Sequence, residues 1–221
     1  MTMLWIAAIA FVGTHFLMSH PLRRPMVGAL GERGFLGVYS LISIATFVWM
    51  VIAYRAVPYG LAAWDAGDGV WIAATILMWI ASVLLAGSLI GNPALPASGA
   101  NRLAAKQPRG VFRITRHPMM WSFALWGLVH ILIAPRAENF ILCGAIILLA
   151  LAGAALQDGK KKRLMGADWK AWVSKTSFVP FARGFAMPGG VALIGGTLLW
   201  LVAMYGHRWF GIAGAGIFRW V

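Results

Sequence analysis

Six apolar stretches dominate the chain, near 3–19, 35–54, 70–91, 118–135, 139–157 and 189–206. Each is about 16–22 residues long. That is close to the ~20 residues a helix needs to cross a ~30 Å hydrocarbon core. Of the 221 residues, 61% are apolar and 11% charged, and the mean hydropathy is +0.78. An ordinary soluble domain is roughly a quarter charged. A chain of this size can bury a core, but it cannot hide this much apolar surface from water. The pattern excludes a soluble enzyme, a disordered chain and a disulfide-stapled secreted module. It predicts an all-α polytopic membrane helix bundle: one membrane domain over 1–221 with about six transmembrane helices. The first stretch has no basic leader and no small-residue cleavage site, so it reads as a span.

The net charge of +13 would suggest nucleic acid on a soluble protein. Here no aromatic-and-basic strand motif or zinc ligand set accompanies it, so no nucleic-acid partner is expected. The partner is the lipid bilayer. Loop one carries Arg23, Arg24 and Arg33. Loop three carries Arg102, Lys106, Arg109, Arg113 and Arg116. Loop five carries Lys160, Lys161, Lys162, Arg163, Lys170, Lys175 and Arg183. Together they hold 15 of the 19 Lys and Arg residues. Arg55, Arg136, Arg208 and Arg219 are the other four. Such alternation places loops one, three and five in the cytoplasm and both termini outside.

Loop three opens irregularly, with Asn92, Pro93, Pro96, Ser98, Gly99 and Pro108. In loop five, apolar residues at 164, 165, 169, 172 and 173 recur at helical spacing among lysines. This predicts a cytoplasmic amphipathic surface helix and loop within 158–183. The single cysteine, Cys143, sits in an apolar run and reads as packing.

Polar side chains inside a bilayer are costly and are candidates for function. Serines such as Ser19, Ser82 and Ser88 are expected to bond back to their own helix carbonyls. Histidine is harder to satisfy in hydrocarbon. His207 lies beside Arg208 at an interface, and His20 and His117 each precede a proline at a span end. His15 and His130 lie within apolar runs. On the fourth span Ser122, Trp126 and His130 form one stripe, with Met119 near it; on the first, Leu4, Ala8, Phe11 and His15 form another. Two histidines on different helices could ligate one metal. The spans lack acids, which argues against a hard-ion or carboxylate di-iron site. A catalytic zinc wants three protein ligands. Haem needs one or two axial ligands and an apolar cleft. Ordinary interhelical hydrogen bonds of the two histidines are the other reading. The depths differ: His15 lies roughly 10 Å and His130 roughly 18 Å from the inner boundary at helical rise. Arg113, Arg116 and His117 gather at the start of the fourth span, either as an anion site or as a positive-inside anchor.

The string Gly110-Val-Phe-Arg113-Ile-Thr-Arg116-His117-Pro118-Met-Met, continuing to Trp126-Gly-Leu-Val-His130, resembles the NnrU family. That family includes the plant and cyanobacterial 15-cis-zeta-carotene isomerases. Phe11-Val-Gly-Thr-His15, Gly31-Glu32-Arg33-Gly-Phe35 and Ser174-Lys-Thr-Ser177-Phe-Val-Pro180-Phe181 agree with it in order and spacing, over roughly 8–182. The resemblance implies a multi-span protein of the bacterial inner membrane. It implies haem b, with His15 and His130 as axial and catalytic ligands to the iron. Phe11, Ser122 and Trp126 would line the pocket, and Arg113, Arg116 and His117 would hold propionates. The implied chemistry is redox-gated cis–trans isomerisation of an apolar polyene. The alternative implied by the bacterial members is a non-enzymatic accessory factor in denitrification, partnering nitrite or nitric oxide reductase or handling haem.

The Arg116-His117-Pro118 string, followed by an acidic residue and a basic helix, is also similar to membrane methyltransferases of the isoprenylcysteine carboxyl and phospholipid type. In that alignment Met120 takes the aromatic slot, Ser122 the glycine slot, and Asp158-Gly159 stands where those enzymes carry paired acids.

Overall fold

The computed structural model describes residues 1–95, 99–211 and 214–220. Pro96 and Ser98 of loop three lie outside the described residues. Among the described residues all regular structure is helical. The helices are α1 (Thr2–Ser19), α2 (Arg23–Arg55), α3 (Asp68–Ser88), α4 (Ala100–Ala105), α5 (Pro118–Ile133), α6 (Ala137–Met165), α7 (Ala167–Lys175) and α8 (Gly190–Trp209). Short 3₁₀ turns occupy Gly110–Arg113 and Ile217–Arg219.

The expected all-α bundle is present. α1, α2, α3, α6 and α8 are long and apolar enough to cross a membrane. α5 is apolar throughout but has only 16 residues. Neighbouring contacts order the six long helices as α2–α1–α6–α5–α3–α8. The outward faces are apolar: Leu41, Ile44, Ile52, Ile194 and Val202 are 61–70% exposed. In water such faces would aggregate; against acyl chains they are solvated.

Local chemistry sets the helix ends. Pro118 is the first residue of α5, where a missing N–H costs nothing and its fixed φ suits the turn. Gly166, at φ 56°, separates α6 from α7 in a conformation that resists a side chain. Gly31, at φ 69°, breaks the helical path inside α2. Residues 23–30 therefore form a separate helical piece leading into the span, beyond the apolar stretch at 35–54.

Two apolar cores result. One joins the α1 stripe Leu4, Ala7, Ala8 and Phe11 to Met50 and Ala53 of α2 and to Ile141, Leu142 and Cys143 of α6. Cys143 is 1% exposed, so it packs as expected. The other core lies at the end carrying loops three and five, called the basic end below. There Trp169 and Trp172 of α7 pack on Val83, Val111, Phe112 and Ala192.

This differs from the expected surface helix over 158–183. Asp158 to Met165 continues the α6 helix without a break, and the amphipathic helix is only Ala167–Lys175. Its tryptophans bury against protein rather than lipid, because α4 and the 110–113 turn cover them. Sequence periodicity gives an apolar face but not what covers it.

Candidate functional site

The site is built from α1, α2, α5 and α6. The apolar stripe of α1 carries Phe11, His15 and Ser19 towards α6. The stripe of α6 that faces them is Ile146, Leu149, Ala150, Gly153, Gln157 and Lys160, at helical spacing. Tyr39 of α2 and Met120 and Phe123 of α5 close the sides. These residues line a cavity of about 390 Å³, within the range of small-molecule and cofactor pockets. A second cavity of about 670 Å³ shares Ser19, Tyr39, Met120, Gln157 and Lys160 with it and extends to Arg23, Glu32 and Lys161.

His15 is a polar group in the wall of the cavity of about 390 Å³. Its Nδ1–H donates to the Phe11 carbonyl at 2.6 Å. That bond fixes the tautomer and leaves the Nε2 lone pair free, the arrangement a metal-ligating imidazole needs. Phe11 meets the ring edge-on at 4.6 Å and Tyr39 at 5.6 Å, which holds its plane. At the mouth, Lys160 makes no hydrogen bond among the described residues. Burial first, and then the charges of Lys160 and Arg163, hold the His20 imidazole below the usual histidine range.

His130 has the same local arrangement elsewhere. Its Nδ1–H donates to the Trp126 carbonyl at 2.7 Å, and Trp126 stacks on the ring at 4.1 Å. It does not line the His15 cavity. The α5 residues that do are Met120 and Phe123, and His130 lies seven residues beyond Phe123. That is about 10 Å along the helix. Its other aromatic neighbour is His207 of α8, at 6.4 Å between ring centres. The depth offset visible in the sequence is thus kept in the fold. Ser122 is buried on α5 and, like Trp126, is not part of the cavity wall.

At the start of α5, Arg116 and His117 are engaged by protein groups. Arg116 donates from Nε to Asp158 Oδ2 at 2.9 Å and to Oδ1 at 3.1 Å. His117 Nε2 lies 2.9 Å from Asp158 Oδ1, with its ring 2% exposed. Thr115 Oγ1 donates to the Phe178 carbonyl at 2.6 Å, the Arg116 amide to the Ser177 carbonyl at 2.8 Å, and Trp121 Nε1 to the Phe178 carbonyl at 2.9 Å. The 115–117 string and the 176–181 segment therefore clamp each other, and Asp158 locks the clamp to α6. Neither Arg116 nor His117 reaches the His15 cavity. Arg113 is exposed and makes no hydrogen bond or ion pair among the described residues. The cation at the cavity mouth is Lys160, which sequence reasoning placed in a basic loop. The signal for it was the i, i+4, i+7 stripe through Gly153, Gln157 and Lys160. Among the described residues no group of three or more His, Cys, Asp or Glu could hold a metal ion.

The model of the NnrU protein family matches residues 3–214. The chain belongs to the NnrU family. No curated protein and no solved structure matches it. The segments that carry the NnrU resemblance fall into two structural groups. Phe11 to His15 builds the cavity, while residues 110–118 and 174–181 build the clamp at the basic end.

Proposed function

We propose that this NnrU protein binds haem b in the His15 cavity and acts on an apolar polyene by redox-gated cis–trans isomerisation. The observation that carries the reading is the His15 imidazole: Nδ1–H held by the Phe11 carbonyl, Nε2 free above an apolar cavity with a cation at its mouth. Those residues fit a haem. Imidazole nitrogen with a carbonyl behind it is a suitable iron ligand. Phe11, Phe16, Phe123 and Ile146 supply the apolar wall, and Lys160 a charge for carboxylate groups.

Bound there by His15, with Lys160 at the carboxylate side, haem b would supply redox chemistry to the site. The chain does the rest. The Phe11 carbonyl orients His15. The aromatic wall excludes water and accepts a flat, apolar substrate. Lys160, which makes no hydrogen bond among the described residues, would neutralise anionic groups at the mouth. His130 lies too far along α5 to share this cavity, so the reading places one histidine, His15, on the iron.

The basic loops would face the cytoplasm of a bacterial inner membrane, with both termini outside. The 15-to-4 split of cations supports this orientation.

The test is haem titration of detergent-purified protein followed by incubation with a cis-polyene, in reduced and oxidised forms. The reading predicts a one-to-one Soret band and isomerisation in one redox state only. Haem binding with no turnover would favour the accessory role in denitrification, with a reductase or haem-handling partner. Absence of a Soret band would sink the haem reading.

A further inference from the structure

The α6 stripe that reaches the His15 cavity continues beyond it. Gln157, Lys160, Lys161 and Leu164, at i, i+3, i+4 and i+7, line the second cavity of about 670 Å³. Ala94 and Leu95 of loop three form part of its wall. α6 pins that wall. Gln157 Nε2 donates to the Ala94 carbonyl at 3.0 Å, and Lys161 Nζ donates to the carbonyls of Pro93 at 3.0 Å and Leu95 at 3.4 Å. Phe35, Leu36 and Met165 add apolar surface.

Charge in this chamber does not balance. Arg23, Lys160 and Lys161 line it with one carboxylate, Glu32. Glu32 is already engaged by Arg23, at 2.6 Å. Lys161 is only 8% exposed, yet it pairs with no carboxylate among the described residues. Two neutral carbonyls take two of its three N–H groups, and the third has no protein acceptor among the described residues. Lys160 beside it makes no hydrogen bond among the described residues. Charges buried in proteins are paired, and one left uncompensated is costly. An anionic group beside the two ammonium ions offsets that cost. The chamber also shares Tyr39, Met120 and Lys160 with the His15 cavity, so one ligand can be anionic at one end and apolar along the rest.

We propose that this second chamber binds the carboxylate end of a long-chain polyene acid, with Lys160 and Lys161 on the carboxylate and the chain passing Tyr39 and Met120 towards His15. The polyene rests on the function proposed above, and the chamber adds the anionic end. A hydrocarbon polyene sets nothing against the two charges. A small free anion makes no use of Phe35, Leu36 and Met165.

The experiment is native mass spectrometry of the haem-free full chain in detergent, with parinaric acid, its methyl ester or acetate as probe. The acid should be retained at one per chain, the ester at least about tenfold more weakly, and millimolar acetate should not displace the acid. Lys161→Gln keeps a donor for the loop-three carbonyls and removes the charge, and should weaken retention of the acid about tenfold, the scale of a lost charge-assisted bond. Lys161→Arg keeps the charge and should retain most of the binding. Lys106→Gln, an exposed loop-three cation outside the chamber, should leave it unchanged. Equal retention of acid and ester, or equal effects of Lys161→Gln and Lys106→Gln, would overturn the proposal. So would complete displacement of the acid by one equivalent of haem, which would give the chamber to the haem carboxylates. A missing Soret band would sink the haem reading and leave acid retention intact, whereas a normal Soret band without acid retention would sink only the anionic end.

Discussion

Asp158 on α6 receives Arg116 from the start of α5 across 42 positions of sequence, with Arg116 Nε at 2.9 Å from Oδ2. His117 meets the other carboxylate oxygen at 2.9 Å. One carboxylate thus faces two groups of the Arg-Ile-Thr-Arg-His-Pro string and ties α5 to α6 at the basic end.

Removing Asp158 would leave the half-buried Arg116 and the buried His117 without their carboxylate. Asp158→Asn should therefore destabilise the protein by about 2 kcal/mol, below the loss for a fully buried pair. Arg116→Lys should recover only part of the loss of Arg116→Ala, since an ammonium cannot reproduce the fork. Thermal unfolding in detergent, followed by tryptophan fluorescence, measures both. Equal stability of wild type and Asp158→Asn would show the contact to be peripheral.

The clamp between residues 115 and 178 makes a smaller prediction. Thr115→Val keeps the shape and removes the hydroxyl that reaches the Ser177 and Phe178 carbonyls. A loss of about 1 kcal/mol is expected. Hydrogen exchange should rise in 176–181 and stay unchanged in α1. Uniform change across the chain would contradict a local clamp.

Close packing of α3 and α8 depends on Gly196. A Cβ there would lie 2.3 Å from the Val83 Cα, so the backbones touch. Gly196→Ala should push the helices apart and cost at least about 2 kcal/mol. Gly206→Ala, where nothing lies within 4 Å of the added carbon, should be neutral or slightly stabilising. A proteolysis series on the two variants separates the outcomes, and similar behaviour of both would refute the contact.

Much of this architecture was legible in the sequence because a bilayer demands long apolar helices. All six apolar stretches coincide with helices, and Cys143 and the Leu4–Ala8–Phe11 stripe pack as their surroundings dictate. Two of the three serines named behave as expected: Ser19 bonds back to the His15 carbonyl at 2.6 Å and Ser88 to that of Leu85 at 2.6 Å, whereas Ser82 shows no such bond. What was not legible is long-range partnering. Asp158 looked like a remnant in a basic loop, yet it decides where Arg116 and His117 point. Trp169 and Trp172 gave a surface-helix pattern, and only α4 and the 110–113 turn reveal that they are covered. Lys160 looked like one more topological cation, but the α6 helix runs through it and places it in the wall of the His15 cavity. The free Nε2 nitrogens of His15 and His130 follow from local helix geometry, but their relative depth needed the packing of α1 and α5 on α6.

Metal-ligand variants probe the centre of this account. The decisive measurement is the visible spectrum of haem-reconstituted wild type, His15→Ala and His130→Ala, at matched protein concentration. The cavity predicts that His15→Ala loses the Soret band or shifts it strongly, and weakens haem binding at least tenfold, whereas His130→Ala keeps both. A band lost in His130→Ala and kept in His15→Ala, or lost equally in both, would contradict the His15 cavity as the haem site on a single histidine.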